Sequence, residues 1–316
     1  MRQPEVCSMM ELGVVIVTFN RLEKLKEALK AYEMQTRRPD RILVVDNCST
    51  DGTDAYLQKW LNDKEQGNKN PVRKTILRLH QNIGGSGGFY CGLRRAVELG
   101  MEWIFLADDD AYPQPDCLEK LLRCAEAEEH ADAAAFCSSV LVKENIDTWH
   151  RRRLFKRYGI VREERIPEEE YRKESFPLEF FSYVGVLLSR EAILKAGYPE
   201  KAFFIAYDDS EHSLRIAKQG RILCIPAARV EHDTEDNFED VISWKRYYNI
   251  RNKLYSYRRH FGLVQAGIWA AHYLWKYRGQ SDNRRMTLAA VKDAFFGRLG
   301  LHSMYRPGWH PVGETK

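Results

Sequence analysis

The segment LGVVIVTFNR, residues 12–21, begins as a continuous apolar run and ends in polar side chains. Such a run, rich in β-branched residues, is typical of a parallel strand that is covered on both faces. Apolar residues at helical spacing follow over Leu22–Met34, and a second apolar run at Arg41–Val45 predicts another strand. The chain is therefore expected to open with a strand, a helix and a second strand.

Strands and helices continue to alternate through the first third of the chain. Helical patterns at Thr53–Trp60 and Gly88–Leu99 separate short apolar runs at Thr75–Leu79 and Trp103–Ala107. Alternation of elements of these lengths is typical of βαβ units, in which helices cover both faces of a parallel sheet. The sequence predicts an α/β fold with a Rossmann-like, mostly parallel sheet flanked by helices.

Beyond residue 117 the pattern is less regular. Arg151–Glu174 carries RRR at 151–153 and EEE at 168–170, and we expect it to be an exposed insertion or a mobile loop. The remaining expected elements are helices at Leu118–Glu129, Arg190–Ala196 and Ser210–Gln219, strands at Ala133–Leu141, Phe181–Ser189 and Arg221–Ile225 (closed by Pro226), and a C-terminal helical extension from Val241 with breaks at Gly262 and Gly279.

The net charge of the 316-residue chain is only +4, but its charges are unevenly distributed. Trp244–Trp309 holds 13 Lys and Arg residues against 2 Asp and Glu residues, whereas Met1–Ser243 holds 35 against 42. An acidic body therefore precedes a basic tail, Trp244–Trp309, that is also rich in aromatic residues. Such a composition suits helical packing under a domain, a nucleic-acid site or docking on an anionic membrane.

No segment indicates membrane insertion or export. No apolar run reaches the roughly 18–20 residues that cross a bilayer, and Met1–Glu11 lacks the basic-then-apolar layout of a signal peptide. The seven cysteines are scattered singly without a C-x-x-C pair, which argues against a disulfide framework or a zinc site. We therefore expect a cytoplasmic protein.

Polar residues follow three of the first four predicted strands. Thr18, Asn20 and Arg21 follow the first strand, Asp46 and Asn47 follow the second, and the triplet Asp108–Asp110 follows the fourth. Ligands of open α/β sheets bind at the carboxyl ends of the strands, so these side chains are expected to meet at one edge. One such end could be a simple turn, but three together favour a nucleotide site.

The triplet Asp108–Asp110 is the most distinctive of these strand ends. In extended backbone, residues two apart point the same way, so Asp108 and Asp110 can aim at one point. Their carboxylates would repel each other unless a cation lay between them, and hard oxygen ligands suit Mg²⁺ or Mn²⁺. The alternative is a solvated acidic turn ahead of Pro113.

The segment NIGGSGGF, residues 82–89, is a glycine-rich turn that opens a helix. Its missing side chains would let backbone N–H groups approach an anionic ligand at the helix N-terminus. It matches neither the G-x-G-x-x-G nor the G-x-x-x-x-G-K-[ST] spacing, so those two nucleotide-binding folds lose support. A tight strand-to-helix connection is the simpler alternative.

Two later polar groups could also reach such a site. Asp208, Asp209 and Glu211 lie in the first turn of a predicted helix, where acidic residues commonly interact with the helix dipole. We expect that role for Asp208 and Glu211, although a carboxylate at a helix mouth can act as a general base. His232 follows a strand and lies among acidic residues, and a lone histidine there is more often structural than a ligand.

Taken in order, five motifs resemble those of the inverting GT-A glycosyltransferases of family 2. They are VVIVTFN (14–20), VVDNCSTDGT (44–53), NIGGSGG (82–88), LADDD (106–110) and AYDDSEHSLR (206–215). NIGGSGGF and the segment YYNIRN, residues 247–252, look most like the galactofuranosyltransferase and rhamnosyltransferase branches. The resemblance spans 13–232 and implies a GT-A catalytic domain at 1–240, with a nucleotide-sugar site in 13–110, an acceptor and base part in 175–235, and an extension at 241–316.

The resemblance also implies roles for individual residues. Asp110, with Asp108 and His232, would bind Mn²⁺ or Mg²⁺, and this implied role reverses the expectation for the histidine. Asp209 would be the catalytic base, while Asp208 stands where the family more often has Glu. Nine residues would bind the donor: Thr18, Asn20, Arg21, Asp46, Asn82, Gly84, Gly85, Asp108 and Asp109.

By the same resemblance, the chain is expected to be a metal-dependent inverting glycosyltransferase. It would move galactofuranose from UDP-galactofuranose to a hydroxyl group of a growing, lipid-linked cell-surface glycan, with dTDP-rhamnose as the alternative donor. A nucleotidyltransferase, or a non-catalytic module that binds nucleotide sugars, could share the sheet and acidic turn. The resemblance favours peripheral contact of the basic tail with the inner face of the cytoplasmic membrane, and no nucleic-acid partner is expected.

Overall fold

The computed structural model of the protein describes residues 10–63, 71–234 and 243–311. Most of Met1–Glu11 and the expected domain boundary between residues 240 and 241 lie outside these ranges. The helices are α1 (Leu22–Glu33), α2 (Thr53–Asn62), α3 (Gly84–Glu98), α4 (Cys117–Glu126), α5 (Arg190–Ala196), α6 (Asp208–Ile216), α7 (Trp244–Phe261), α8 (Leu263–Lys276) and α9 (Ser281–Phe296). The strands are β1 (Leu12–Thr18), β2 (Arg41–Asp46), β3 (Arg73–Arg78), β4 (Trp103–Asp108), β5 (Ala111–Pro113), β6 (Ala133–Val142), β7 (Asn145–Ile146), β8 (Arg151–Arg157), β9 (Ile160–Arg165), β10 (Phe176–Pro177), β11 (Phe180–Phe181), β12 (Val186–Ser189) and β13 (Arg221–His232).

Ten of these strands form one mixed sheet. Its order is β10-β13-β6-β12-β4-β1-β2-β3, with β5 paired to β13 and β7 paired to β6. Strands β4, β1, β2 and β3 pair in parallel, as do β6 and β13, whereas β12 runs antiparallel to both β4 and β6. The predicted α/β fold with a Rossmann-like sheet is confirmed, and its four consecutive parallel strands come from the first 108 residues.

The central strand β1 shows why the sheet is covered on both sides. Leu12, Val14 and Ile16 pack into the core formed with α1, α2 and α4, whereas Val15 and Val17 pack into the core formed with α3, α5 and α6. Successive side chains of a strand point to opposite faces, so an uninterrupted apolar run requires a helix layer on each face. All of β1 is buried, as its sequence predicts.

Two predicted strands have different bounds in the structure, for identifiable backbone reasons. The run expected at Phe181–Ser189 is divided between β11 and β12, because the backbone turns at Gly185, where φ is +74°. Glycine is required there, since a Cβ would lie 2.2 Å from Ser138 Oγ. Strand β13 continues past Pro226 to His232, through a register shift between Ile225 and Arg229. A bulge accommodates proline because it interrupts the ladder at a residue without an N–H group.

The largest difference from the sequence expectation is at Arg151–Glu174. Its first part is the hairpin β8–β9, which joins β11 in a separate three-stranded sheet, so a mobile loop is the wrong description. Arg151 is fully buried, and its guanidinium donates to the carbonyls of Ser138 (2.9 Å) and Val184 (2.8 Å). The charged composition concealed this because an arginine can be buried when carbonyl oxygens accept its hydrogen bonds.

The predicted C-terminal helical extension is confirmed, and α7 packs firmly on the rest of the protein. Gly262 separates α7 from α8 with a φ of +88°, as expected for a helix break. Glu211 of α6, expected to interact only with the helix dipole, is instead fully buried. It accepts hydrogen bonds from Arg215 Nη2 (2.8 Å) and, on α7, faces His260 Nε2 at 3.0 Å. This buried carboxylate therefore ties α6 to α7.

Candidate active site

Two adjoining cavities lie at the carboxyl ends of the parallel strands. The larger has a volume of about 550 Å³ and the smaller about 270 Å³, and Arg21, Gly85, Asp108 and Ile205 line both. The larger cavity is also lined by Lys24, Asp110, His150, Asp208, Asp209, His232 and Lys245, and the smaller one by Thr18, Phe19, Asn47, Asn82, Gly84, Asp109, Phe204, Trp244 and Pro307. Most of the predicted site residues are therefore brought together, although they come from distant parts of the chain.

The acidic turn after β4 is held by residues that follow β1. Thr18 Oγ1 donates a 2.7 Å hydrogen bond to Asp109 Oδ2, and Arg21 Nη1 lies 3.2 Å from Asp109 Oδ1 and 2.6 Å from Asp110 Oδ2. Because β1 and β4 are parallel neighbours, their ends reach the same edge of the sheet. Thr18 and Arg21 thus fix the carboxylates of the turn in this structure.

Strand pairing also brings His232 to this turn. His232 pairs with Ala111 in the β5–β13 ladder, and the backbone N–H of Asp233 donates to the carbonyl of Asp110 over 2.8 Å. His232 Nε2 consequently lies 3.4 Å from Asp110 Oδ1. No local sequence feature predicts this approach, because it depends on β13 continuing past its proline.

The acidic turn is electrostatically suited to a cation. Burial, together with the charges of Asp110 and Asp109, raises the pKa of Asp108 to about 7, and burial raises the pKa of Asp109 to about 6. Asp110 Oδ1 is buried and accepts no hydrogen bond from the described residues. Within those residues, no group of three or more His, Cys, Asp or Glu side chains is arranged so that it could hold a metal ion by itself. The donors present fit a hard divalent cation that completes its shell with ligand oxygens.

The glycine-rich turn has a specific steric role at Gly84. A Cβ on this residue would lie 1.9 Å from the carbonyl oxygen of Phe204, and its φ is +79°. The backbone N–H group of Ser86 donates a 3.2 Å hydrogen bond to the same carbonyl oxygen. Gly85 has open space where a Cβ would be. The turn therefore both borders the cavities and holds the segment that carries Phe204.

Two predicted donor-binding residues line neither cavity. Asp46 is fully buried, and its Oδ1 accepts a 2.8 Å hydrogen bond from the backbone N–H of Ser49. Asn20 Oδ1 accepts a 2.7 Å hydrogen bond from the N–H of Thr50. Both side chains shape the loops around the smaller cavity in this structure. Asn47, which directly follows the predicted second strand, lines that cavity instead.

The segment leading into α6 is strained. Phe204, Ala206 and Tyr207 all have φ between 66° and 67°, a region that costs a non-glycine residue on the order of 1–3 kcal/mol. The side-chain amide of Asn252 on α7 spans this segment, donating to the carbonyls of Ile205 (3.0 Å) and Ala206 (2.8 Å), and of Phe203 at 3.2 Å. Helix α7 therefore stabilises the backbone conformation that begins α6.

The strained segment delivers two carboxylates to the larger cavity. Asp209 Oδ1 accepts hydrogen bonds from the N–H group (2.5 Å) and hydroxyl (3.0 Å) of Ser210. Burial raises the pKa of Asp209. The pKa of Asp208 is raised to about 8, by its own burial and then by the negative charge of Asp209 beside it. Asp208 is thus more than the dipole partner expected from sequence, since it is buried and lines the cavity.

Several cavity residues escaped the sequence reasoning. His150 lies at the end of the supposed loop, and Trp244 and Lys245 begin the basic tail. The pKa of Lys245 is lowered, chiefly by burial and by the charge of Arg21. The sequence signal for Trp244 and Lys245 was the concentration of basic and aromatic side chains after residue 243, which did not indicate where they lie, and no such signal marked His150.

This arrangement defines a class of enzyme. Two cavities at strand ends, an acidic turn and a helix-borne aspartate together suit the transfer of a group from a nucleotide-linked donor, as in glycosyltransferases of the GT-A fold. A model of the family described as "Glycosyl transferase family 2" matches residues 13–197. The chain belongs to glycosyl transferase family 2.

Similar proteins are consistent with that membership. Galactofuranosyltransferase GlfT1 of Mycobacterium tuberculosis is 30% identical over 258 residues, which cover 76% of this chain and 80% of that protein. From the same organism, N-acetylglucosaminyl-diphospho-decaprenol L-rhamnosyltransferase is 24% identical over 85% of this chain and 89% of its own length. These similarities, with the family, support the galactofuranosyl- and rhamnosyltransferase branch that the motifs indicated.

Solved structures share the fold. The crystal structure of GalNAc-T7 with UDP, GalNAc and Mn²⁺ has a TM-score of 0.64 at 14% identity, over 92% of this chain and 56% of that one. Staphylococcus aureus TarS 1–349 in complex with UDP has a TM-score of 0.57 at 14% identity, over 90% and 81% of the two chains. The GT-A fold predicted from the motifs is confirmed.

Proposed function

We propose that this glycosyltransferase moves galactofuranose from UDP-galactofuranose to a hydroxyl group of a growing, lipid-linked cell-surface glycan, with inversion at the anomeric carbon. The observation that carries the proposal is one cavity lined by Asp108, Asp110, His232 and Asp209. This cavity contains both candidate metal ligands and a candidate general base. The sugar is the one named for the relative that is 30% identical, and the lipid-linked acceptor is the kind named for the rhamnosyltransferase relative.

In this mechanism Asp209 is the general base. It removes the proton of the acceptor hydroxyl, whose oxygen attacks the anomeric carbon from the face opposite the leaving group. The bond from that carbon to the diphosphate oxygen breaks, and the nucleoside diphosphate leaves with both electrons. A single displacement inverts the anomeric configuration and needs no covalent enzyme intermediate. Arg21 and Lys245 lie where positive charge would offset that of the leaving group.

A divalent metal fits the acidic turn. Asp110, with Asp108 and His232, would hold Mn²⁺ or Mg²⁺, which when bound stabilises the charge of the departing diphosphate. Asp110 Oδ1, which faces His232 Nε2 at 3.4 Å, and the raised pKa of Asp108, which burial and two neighbouring carboxylates cause, support this role. The similar fold of GalNAc-T7, crystallised with Mn²⁺, is in keeping with it.

The smaller cavity is proposed to receive the nucleoside. Asn82, Gly84 and Gly85 line it, and Phe19 and Trp244 supply aromatic surface. Because Trp244 and Pro307 come from the C-terminal part, we propose that 1–240 and 241–316 work as a catalytic domain and an extension that completes the site. Asp46 and Asn20 would then act indirectly, through the loops that they hold.

The basic tail is proposed to contact an anionic membrane at its inner, cytoplasmic face. Among the described residues, no helix has the length and apolar character to cross a bilayer. Trp275, Leu288 and Phe296 are exposed, with 64%, 51% and 70% of their surface accessible. Exposed apolar side chains among arginines and lysines suit peripheral binding to anionic lipid. Val291 and Phe295 of the same helix as Leu288 instead pack against the tail's own core.

A donor panel tests the proposed function. Purified protein is incubated with UDP-galactofuranose, UDP-galactopyranose or dTDP-rhamnose, with Mn²⁺ or with EDTA, and nucleoside diphosphate release is measured. We expect release from UDP-galactofuranose that EDTA abolishes. Preferential release from dTDP-rhamnose would favour the rhamnosyltransferase alternative, which the second relative supports. Release that is unaffected by EDTA would contradict metal dependence.

A further inference from the structure

The hairpin β8–β9 places a partly buried cation beside the proposed base. Arg152 on β8 has 16% of its side chain exposed, and its Nη2 donates a 2.6 Å hydrogen bond to Ser210 Oγ. Ser210 Oγ in turn donates to Asp209 Oδ1 over 3.0 Å, and the Ser210 N–H group donates to the same oxygen over 2.5 Å. A continuous series of hydrogen bonds therefore links the guanidinium to the carboxylate.

Glu163 on β9 fixes the position of Arg152. Its side chain is only 4% exposed, and it pairs with Arg152 Nη1 and, at 3.0 Å, with Lys253 Nζ of α7. The hydroxyl groups of Tyr207 and Tyr257 also donate to it. Although burial opposes ionisation, the charges of Arg152 and Lys253 lower the pKa of Glu163 to about 2. This carboxylate is therefore ionised and holds the hairpin, the α6 entry and α7 together.

The charges of the cluster formed by Arg152, Lys253 and Glu163 do not balance without Asp209. With Arg152, Lys253 and Glu163 all charged, one positive charge is left over, and an ionised Asp209 would balance it. The groups that face Asp209 are Arg152 and Glu163 from the hairpin, Asp208 beside it, and Tyr183 from the segment before β12. Of these, only the arginine is positive. Burial disfavours the ionised form of Asp209 and so raises its pKa. The positive charge of Arg152 favours that ionised form and lowers the pKa.

We infer that Arg152 is a positioning residue for sugar transfer. It fixes Ser210 so that Asp209 is held through Oδ1, which leaves Oδ2 for the acceptor hydroxyl, and its charge keeps the base ionised. The inference rests on the proposed role of Asp209. It assigns the hairpin a part in catalysis, since the hairpin supplies both Arg152 and the carboxylate that fixes it.

Arg152→Met is the principal test, with Arg153→Met as its matched control. Arg153 neighbours Arg152 on β8, is exposed and points to the opposite face. We expect Arg152→Met to lower kcat at least about tenfold, a part of the roughly 10²–10⁴-fold that a general base contributes. Donor affinity, measured by calorimetry with Mn²⁺, should be little changed, because the donor-facing residues are untouched. Arg153→Met should match the wild type.

The pH profile separates positioning from a purely structural role. Loss of the Arg152 charge raises the pKa of Asp209, so the acidic limb of kcat should move to higher pH, and Arg152→Lys should move it back. Equal kcat in Arg152→Met and Arg153→Met would overturn the inference. So would a lower kcat with an unmoved acidic limb.

Ser210→Ala tests the link without breaking the Arg152–Glu163 pair, which matters if Arg152→Met does not fold. We expect a kcat roughly threefold to tenfold lower with donor affinity retained, since Asp209 loses one of its two hydrogen bonds. An unchanged kcat would count against the inference. Asp209→Asn distinguishes the two proposals: if it stays active, the base assignment fails, whereas an inactive Asp209→Asn beside a fully active Arg152→Met removes only the positioning role.

Discussion

The two halves of the proposed active site, a donor half and a base half, are built differently. The donor half, around Asp108–Asp110 and Arg21, consists of residues that directly follow parallel strands, and the sheet itself brings them together. The base half, around Asp209, consists of a strained segment held by side chains far away in sequence, including Asn252 and Arg152. The acidic turn of the donor half therefore depends on the sheet, whereas the base half depends on the hairpin and the C-terminal helices.

This difference has an energetic consequence. Three left-handed non-glycine residues before α6 cost on the order of 1–3 kcal/mol each, and surrounding contacts must offset that strain. Asn252 donates to the buried carbonyl groups of Ile205 and Ala206 in this backbone, and to that of Phe203, which also accepts from Arg251 Nη2. Substitutions of the side chains that hold this segment are therefore expected to impair transfer more than donor binding.

Asn252→Asp should have the largest effect of the substitutions in the supporting residues. It keeps the shape of the side chain but removes its donors and places an acceptor against the carbonyls of Phe203, Ile205 and Ala206. Unpaired buried groups cost about 1–3 kcal/mol, so we expect kcat to fall roughly tenfold to 100-fold and the protein to melt at lower temperature.

Asn249→Asp is the control for that substitution, because Asn249 is exposed on the same helix. It should leave kcat and melting temperature near those of the wild type. If Asn252→Asp reduced donor affinity as much as kcat, the proposed separation of the two halves would be wrong. Calorimetry with UDP and Mn²⁺, beside steady-state kinetics, makes the comparison.

Gly84→Ala should have an intermediate effect, because this glycine lies where the two halves touch. The new Cβ would clash with the Phe204 carbonyl in addition to the strain of a left-handed φ. Gly100→Ala, with a similar φ of +83° but open space around it, isolates the backbone strain. We expect kcat to fall about tenfold in the first variant and little in the second, and thermal unfolding to show a larger loss of stability for Gly84→Ala. Equal behaviour of the two would show that the Phe204 contact is unimportant.

The smallest effect is expected on the surface of the tail. The double substitution Leu288→Ser and Phe296→Ser should lower binding to anionic vesicles a few-fold, because each residue exposes apolar surface near basic side chains. Transfer to a soluble acceptor analogue should not change. Sedimentation with phosphatidylglycerol and with phosphatidylcholine vesicles measures the effect, and equal recovery of the wild type on both lipids would argue against an electrostatic contribution.

The sequence was informative where side chains act close to their own strand. Alternating apolar runs predicted the sheet and helix layers, and the ends of β1 and β4 predicted that Arg21 and Asp108 would meet. The hairpin β8–β9 was missed because the charges of Arg152 and Glu163 resemble those of a solvated loop, and only their mutual pairing makes burial favourable. The contact of Asn252 with the α6 entry was equally inaccessible, since it depends on how α7 packs.

The most direct test of the two-part site compares Asp209→Asn with Asp110→Ala. Donor binding with Mn²⁺ is measured by calorimetry and sugar transfer by product formation, on the same preparations. The account predicts that Asp209→Asn loses transfer by roughly 10²–10⁴-fold while binding donor like the wild type, and that Asp110→Ala loses metal-dependent binding and transfer together. Substantial transfer by Asp209→Asn, or unchanged donor binding by Asp110→Ala, would contradict it.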